Sequence, residues 1–348
     1  METRKVQTVG NGTYTVSLPK EWAESQGVDA GDTVTLHEHI DGVLAVQTRD
    51  RTDDGATVAV RIEAGDATAI ERTLHAAYTA GVREVILERD RSFSAERRRV
   101  VDRVARGRIG MSVTEESDTD TTVRMLLNSE EVSVGQSVRQ LGFVVRSMHR
   151  DAVEALASAD AAGGKSTFDS RDEQADRLSA MIERSVTRGT ADLAEVDALG
   201  TSRSELFEAW TAMRELIRVR EAAAEICAAA ERLDAPTSEP RLESCREIGR
   251  AARDIVSDGV SVVLDDAGVG AARRALDDLD GTRERLDAFD RDLAGADADA
   301  ADVAELRCVS RRLRRTAECG GNVAEVGIRR AIRRGEPISG RRPEQPSR

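Results

Sequence analysis

A helical unit that occurs twice in the second half of this chain constrains its fold more than any other feature. Asp172-x-x-x-Asp176-x-Leu178 is matched by Asp280-x-x-x-Glu284-x-Leu286, and a longer helical stretch follows each, carrying Arg218-x-x-Glu221 or Arg315-x-x-Glu318. Residues four apart share a helix face, so each pair sets two carboxylates side by side. With 33% of residues charged, one such pair arises easily by chance. Recurrence at the same place in a repeated three-helix pattern makes it a feature. Two carboxylates so placed can share a cation, a basic neighbour or water, and the residues alone leave all three open.

The apolar spacing from Val134 onward predicts helices throughout. The first runs over about 134–162 and is expected to end at Gly163-Gly164. The second spans 169–187 and holds the first acidic pair. The third spans 202–233, with Leu206, Trp210, Met213, Leu216 and Val219 as its core stripe. Pro236 to Pro240 breaks the chain, and the plan repeats over 242–264, a Gly268-Val269-Gly270 turn, 271–293 and 301–334. Residues 336–348 carry no apolar period and are expected to be a disordered tail.

Few aromatics, 3%, leave Leu, Val, Ile and Ala to build the cores, which suits helix packing. The net charge is −13, and of 51 basic residues only Lys5, Lys20 and Lys165 are lysine. Such an acidic, lysine-poor surface fits a salt-rich cytosol, where ions screen it. No apolar run approaches the roughly 20 residues of a membrane span, and no signal-peptide pattern is present, so a cytoplasmic protein without membrane insertion is expected. Cys227, Cys245, Cys308 and Cys319 form no C-x-x-C pair and read as reduced, mostly buried thiols rather than a zinc site.

Residues 3–48 read as a compact β-rich module. Strands over 4–9 and 13–18 flank a Gly10-Asn11-Gly12 turn. Pro19 opens a short helix that turns Trp22 and Ala23 inward and closes at Gly27, and strands 33–40 and 43–47 meet at Asp41-Gly42. With Ser17-Leu18-Pro19-Lys20-Glu21-Trp22, then Gly27 and Gly31-Asp32, this order resembles the AbrB/SpoVT family of swapped-hairpin domains. The resemblance implies an intertwined homodimer and, in many members, DNA binding. Forty-odd residues have too little core alone, which also favours the dimer. Arg4, Lys5 and Lys20 are the candidate phosphate contacts. Against them, residues 1–50 hold four basic and eight acidic side chains, a net of −4, where DNA binding normally wants the opposite sign. His37 and His39 share a strand face but lack a third metal ligand nearby, and read as solvent-facing.

Residues 56–128 follow a β-α-β-α-β-β order, which predicts one sheet with helices on one side. Its second helix, capped by Ser94, carries Arg97, Arg98, Arg99, Arg103 and Arg106. That row can meet nucleic acid or an acidic partner, or pair with nearby acids as a solvated face.

Two tandem three-helix bundles with these acidic motifs, and the segment Thr316-Ala317-Glu318-Cys319-Gly320-Gly321-Asn322-Val323-Ala324-Glu325, resemble the PhoU family of phosphate-uptake regulators over about 134–335. The resemblance implies metal binding by second- and third-helix acids, here Asp172, Asp176, Glu221, Asp280, Glu284 and Glu318. It also implies contact with the ATP-hydrolysing subunit of a phosphate transporter. Third-helix positions where the family places ligands read Ile217, Ala222, Arg314 and Cys319, and an arginine repels a cation. The surviving acids can hold a divalent ion weakly or pair with Arg218 and Arg315, the latter being favoured.

The expected architecture is mainly α with an α/β N-terminal part. It comprises a swapped-hairpin module (1–50), a small α/β domain (51–130), two PhoU-like bundles (131–235 and 236–335) and the tail. No P-loop, dinucleotide fingerprint or nucleophile triad is present, so no enzyme is expected. Two functions stay open: a phosphate-responsive adaptor docking a transporter component, and a transcription regulator that binds DNA through its N-terminal module.

Overall fold

A strand with alternating side chains buries one face only if something lies on it, and the described residues of 1–54 bury none of their own. In the computed structural model, the described residues are 3–10, 12–38, 42–47, 57–61, 67–88, 94–157, 162–234, 236–265, 267–295 and 299–336. The chain divides into two units, 1–54 and 55–348. In the first, β1 (Gln7–Val9) pairs antiparallel with β2 (Thr13–Thr15), across a turn where Gly10 has φ 67°. Helix α1 (Lys20–Gln26) starts after Pro19 and ends at Gly27, whose φ of 68° is the left-handed cap that glycine adopts without strain. Strand β3 (Thr35–Glu38) pairs antiparallel with β4 (Leu44–Gln47). The strands are shorter than their sequence patterns. No described residue of this unit is buried; Tyr14 is 76% exposed and Val6 66%.

The second unit opens with a four-stranded sheet of order β5-β6-β8-β7, made by β5 (Thr57–Arg61), β6 (Glu84–Glu88), β7 (Met111–Glu116) and β8 (Asp120–Met125). β5 and β6 are parallel, as a crossover through α2 (Ala67–Thr79) requires, and the other pairs are antiparallel. Helix α3 (Ala95–Arg106) is capped by Ser94, whose hydroxyl accepts from the Arg97 amide. Ile70, Leu74 and Tyr78 of α2 meet Val85, Leu87, Val101 and Val123 in the core of this layer.

Six long helices make the body: α4 (Val134–Ala155), α5 (Ala162–Ala191), α7 (Arg203–Glu231), α8 (Glu239–Leu264), α9 (Gly268–Ala294) and α10 (Ala300–Arg333); the short α6 (Leu193–Ala198) precedes α7. Helix α4 packs on α7, α7 on α10, α10 on α8 and α8 on α4, closing a ring of four. Helix α5 flanks α4 and α7, and α9 flanks α8 and α10. Buried residues from both halves, among them Leu141, Met213, Ile248 and Val323, form one continuous core, so the two bundles are fused rather than strung together.

The halves correspond position by position. A Cβ on Gly142 would meet Leu216 and Val260, and one on Gly249 would meet Leu313 and Val153. Each residue of the second trio stands at the repeat position of one in the first. Likewise Glu215 of α7 accepts from Asn322 of α10 at 3.2 Å, and at the counterpart positions Arg312 pairs with Glu225.

Several sequence expectations change. Helix α4 stops at Ala155 because Leu156 is buried and its carbonyl accepts the Thr237 amide at 3.0 Å, a bond from the distant Pro236–Pro240 linker. Gly163 and Gly164 therefore lie inside α5 rather than ending α4. The Gly268-Val269-Gly270 segment is not a turn but the first turn of α9. Trp210 is half-buried and packs against the edge of the core, with Arg214 stacked 5.7 Å from its ring centre. The expected disordered tail falls, from 337 on, outside the described residues.

The sheet layer is tied to the body by Arg184 of α5. Its guanidinium donates to the carbonyls of Tyr78 and Val82, both at 2.9 Å, and lies 5.2 Å from the Tyr78 ring centre. Burial, with Arg188 adding like-charge repulsion, lowers the Arg184 pKa to about 10, and burial raises that of Tyr78 to about 12.

Candidate functional site

Asp172 and Asp176 lie one turn apart on α5, both half-buried, and face α7. Arg220 of α7 reaches between them: its Nε and Nη2 donate to the two Asp172 oxygens at 2.6 Å each, and Nη1 is 3.8 Å from Asp176. Burial disfavours the Arg220 charge, but the Asp172 hydrogen bonds, followed by the fields of Asp172, Asp176 and Glu221, outweigh it and raise its pKa. Arg108, just past α3, donates to Asp176 at 2.7 Å, to the Gly107 carbonyl and to His75 Nδ1, both at 3.0 Å. Of the two arrangements open to these acids, the first pair takes the favoured one, pairing with arginine.

The arginine itself differs from the expected one. Arg218 pairs with Glu215 on its own helix, and Arg220 and Arg108 take the acidic pair. In the second half, Arg315 does reach Glu318, at 3.7 Å. The position matching Arg220 is Ala317, fully buried, so the second half has no arginine there to enter the pair. Asp280, 75% exposed, pairs with Arg283 of its own helix at 3.0 Å. Glu284 is exposed, and Arg314 turns instead to Asp287 at 2.6 Å.

The donor set does not fit a resident divalent ion. At the first pair a positive group already stands among the oxygens; at the second, two exposed carboxylates lack a third ligand. Among the described residues, no three His, Cys, Asp or Glu side chains converge as a metal would need. Cys245 and Cys319 are buried thiols, and burial pushes the Cys245 pKa up to about 12.

On the N-terminal unit, Arg4, Lys5 and Lys20 are all exposed, with Lys20 3.5 Å from Glu24. His37 lies on β3, and His39 is outside the described residues. In the α3 row, Arg98 pairs with Glu116 at 3.0 Å, Arg103 with Glu71, and Arg106 with Asp102 at 3.7 Å. Among the described residues, no helix is long and apolar enough to cross a membrane.

No curated protein matches the chain. A family model described as "Antidote-toxin recognition MazE, bacterial antitoxin" matches residues 7–53. Those residues fall in the unit whose described residues form two hairpins and one short helix and include none that is buried. The N-terminal unit is a MazE/AbrB-like antitoxin-type domain.

Proposed function

We propose that this protein is a phosphate-responsive regulator of phosphate uptake, active as a homodimer in the cytoplasm, whose helical body docks a component of a phosphate transporter. The observation that supports it best is the duplicated body, in which α4, α5 and α7 recur as α8, α9 and α10, as the PhoU resemblance implies. Within this reading the protein catalyses nothing and acts by binding, and its most direct partner is the transporter's ATP-hydrolysing subunit. The N-terminal unit makes the dimer, because Val6, Tyr14, Leu36 and Leu44 are apolar side chains that one copy leaves open. The test is recovery of tagged protein from phosphate-replete and phosphate-starved cells. Loss or gain of a transporter component between the two states supports the reading, and its absence from both refutes it.

A second reading, a DNA-binding transcription regulator, draws on the MazE/AbrB-like domain, a kind that commonly binds DNA, and on the exposed Arg4, Lys5 and Lys20. The net −4 of residues 1–50 weighs against it. Binding of the full chain to genomic fragments across a salt series separates the two. Sequence preference that weakens steeply with salt, and is lost in Arg4→Ala/Lys5→Ala/Lys20→Ala, favours the regulator of transcription.

A further inference from the structure

Between α3 and α5 lies a cleft of about 660 Å³ whose charge runs against that of the chain. Five arginines and three carboxylates line it, in a protein of net charge −13. Each carboxylate already has an arginine: Glu71 takes Arg103, Glu173 takes Arg177 at 3.6 Å, and Asp176 takes Arg108 at 2.7 Å. Arg99 and Arg106 are left over. Arg99 donates only to its own helix, from Nε to the Ala95 carbonyl at 3.2 Å, among the described residues. Arg106 lies 3.7 Å from Asp102, an exposed contact within α3 that solvent screens. At the floor, Arg108 has a side chain only 14% exposed, and its buried Nε has no partner.

The lining is therefore two positive charges in excess, with an unsatisfied buried donor beneath. Arg99, Arg103 and Arg106 fall one and two turns apart on a single face, a stripe about 10 Å long. The volume lies in the range of roughly 300–1,000 Å³ typical of small-molecule sites. Forked N–H groups repeated along a stripe match the oxygens of phosphoryl groups.

We propose that this cleft binds a phosphoryl dianion, as free phosphate or as the terminal group of a nucleotide, held by Arg99 and Arg106 over Arg108. The ligand would compete with Asp176 for Arg108. Asp176 also sits 3.8 Å from Arg220, which grips Asp172, so occupancy is felt directly on α7. The inference rests on the phosphate-responsive reading for its ligand class, but its geometry lies outside the acidic pairs.

The experiment is titration calorimetry of the full chain at constant ionic strength, with inorganic phosphate in one arm and ATP in the other. One saturable site per chain is expected for at least one ligand. Arg99→Gln and Arg106→Gln should each weaken it about tenfold, a loss typical of removing one charged hydrogen-bond donor. Both side chains are exposed, so these variants should keep the wild-type circular dichroism. The surface control Arg283→Gln should bind as the parent does. Phosphate binding without ATP binding assigns the cleft to the free anion, and tighter ATP binding assigns it to a nucleotide. No saturable binding in either arm, or equal affinity in the Arg99→Gln/Arg106→Gln double variant, overturns the proposal. If that happens while transporter recovery still responds to phosphate, the cleft alone is wrong; normal titration without any recovery removes the regulator reading instead.

Discussion

The two halves of the helical body carry the same acidic motif on the same element and treat it in opposite ways. In α5 the pair is half-buried and locked by Arg220 and Arg108; in α9 it is open to solvent, with one arginine of its own helix for company. Two things cause the difference. Position 220 is an arginine where its counterpart is Ala317, and the sheet layer, which delivers Arg108, packs on α5. The backbones differ too. Gly320 brings α10 against α8 so closely that an added Cβ would lie 2.6 Å from the Val256 amide nitrogen, whereas the matching residue on α7 is Ala223. A repeated motif thus reports ancestry, and its surroundings decide what it does.

Exchanging residues between the halves breaks the comparison most sharply at that contact. Gly320→Ala installs the residue that the first half uses, yet it should cost about 3 kcal/mol in urea unfolding, because backbone atoms cannot yield. A loss below about 0.5 kcal/mol would mean that the helices can part, and that the halves are more alike than their packing indicates.

Removing the lock is next in size. Arg220→Ala strands the half-buried Asp172, while Asp176 keeps Arg108, and should cost about 2 kcal/mol; Arg283→Ala, at the exposed second pair, should stay within about 0.5 kcal/mol. Equal losses would erase the distinction.

Acid sharpens it further. His149 of α4 is fully buried; burial, with Arg253 beside it, lowers its pKa to about 3, and the matching residue in α8 is Val256. The folded state keeps His149 neutral while the unfolded state takes up a proton below about pH 6.5. Its contribution is therefore intact above pH 6.5 and is lost progressively as pH falls toward 3, about 2 kcal/mol by pH 5. His149→Val should flatten the slope of stability against pH in that window, and an unchanged slope would place the acid sensitivity elsewhere.

The smallest effect belongs to the open pair. Asp280→Asn with Glu284→Gln removes mutual repulsion and one exposed ion pair, and should leave stability within about 0.5 kcal/mol by thermal denaturation.

Much of the fold could be read locally. The β-α-β-α-β-β order, the Ser94 and Gly27 caps and the six long helices all follow from period and punctuation within a dozen residues. What escaped depends on distant chain. The end of α4 is set by an amide some eighty residues away, and α6, at six residues, is too short to show a period. The partner of Asp172 is Arg220 rather than Arg218, two residues earlier, because the register of α5 against α7 decides which arginine faces inward. Arg108 belongs to another layer, so nothing near Asp176 announces it. The presence of the Arg99–Arg106 row was visible, but not the cleft it lines.

The N-terminal unit, with no described residue buried, carries a thermodynamic consequence. If the described residues gain an interior only from a second copy, as the proposed dimer requires, the unit's folded fraction is set by mass action with the copy that covers Tyr14 and its neighbours. The helical body, closed around its own core, has the interior it needs within one chain. In the proposed dimer one chain would hold two kinds of stability, and only that of the N-terminal unit would register how many copies the cell contains.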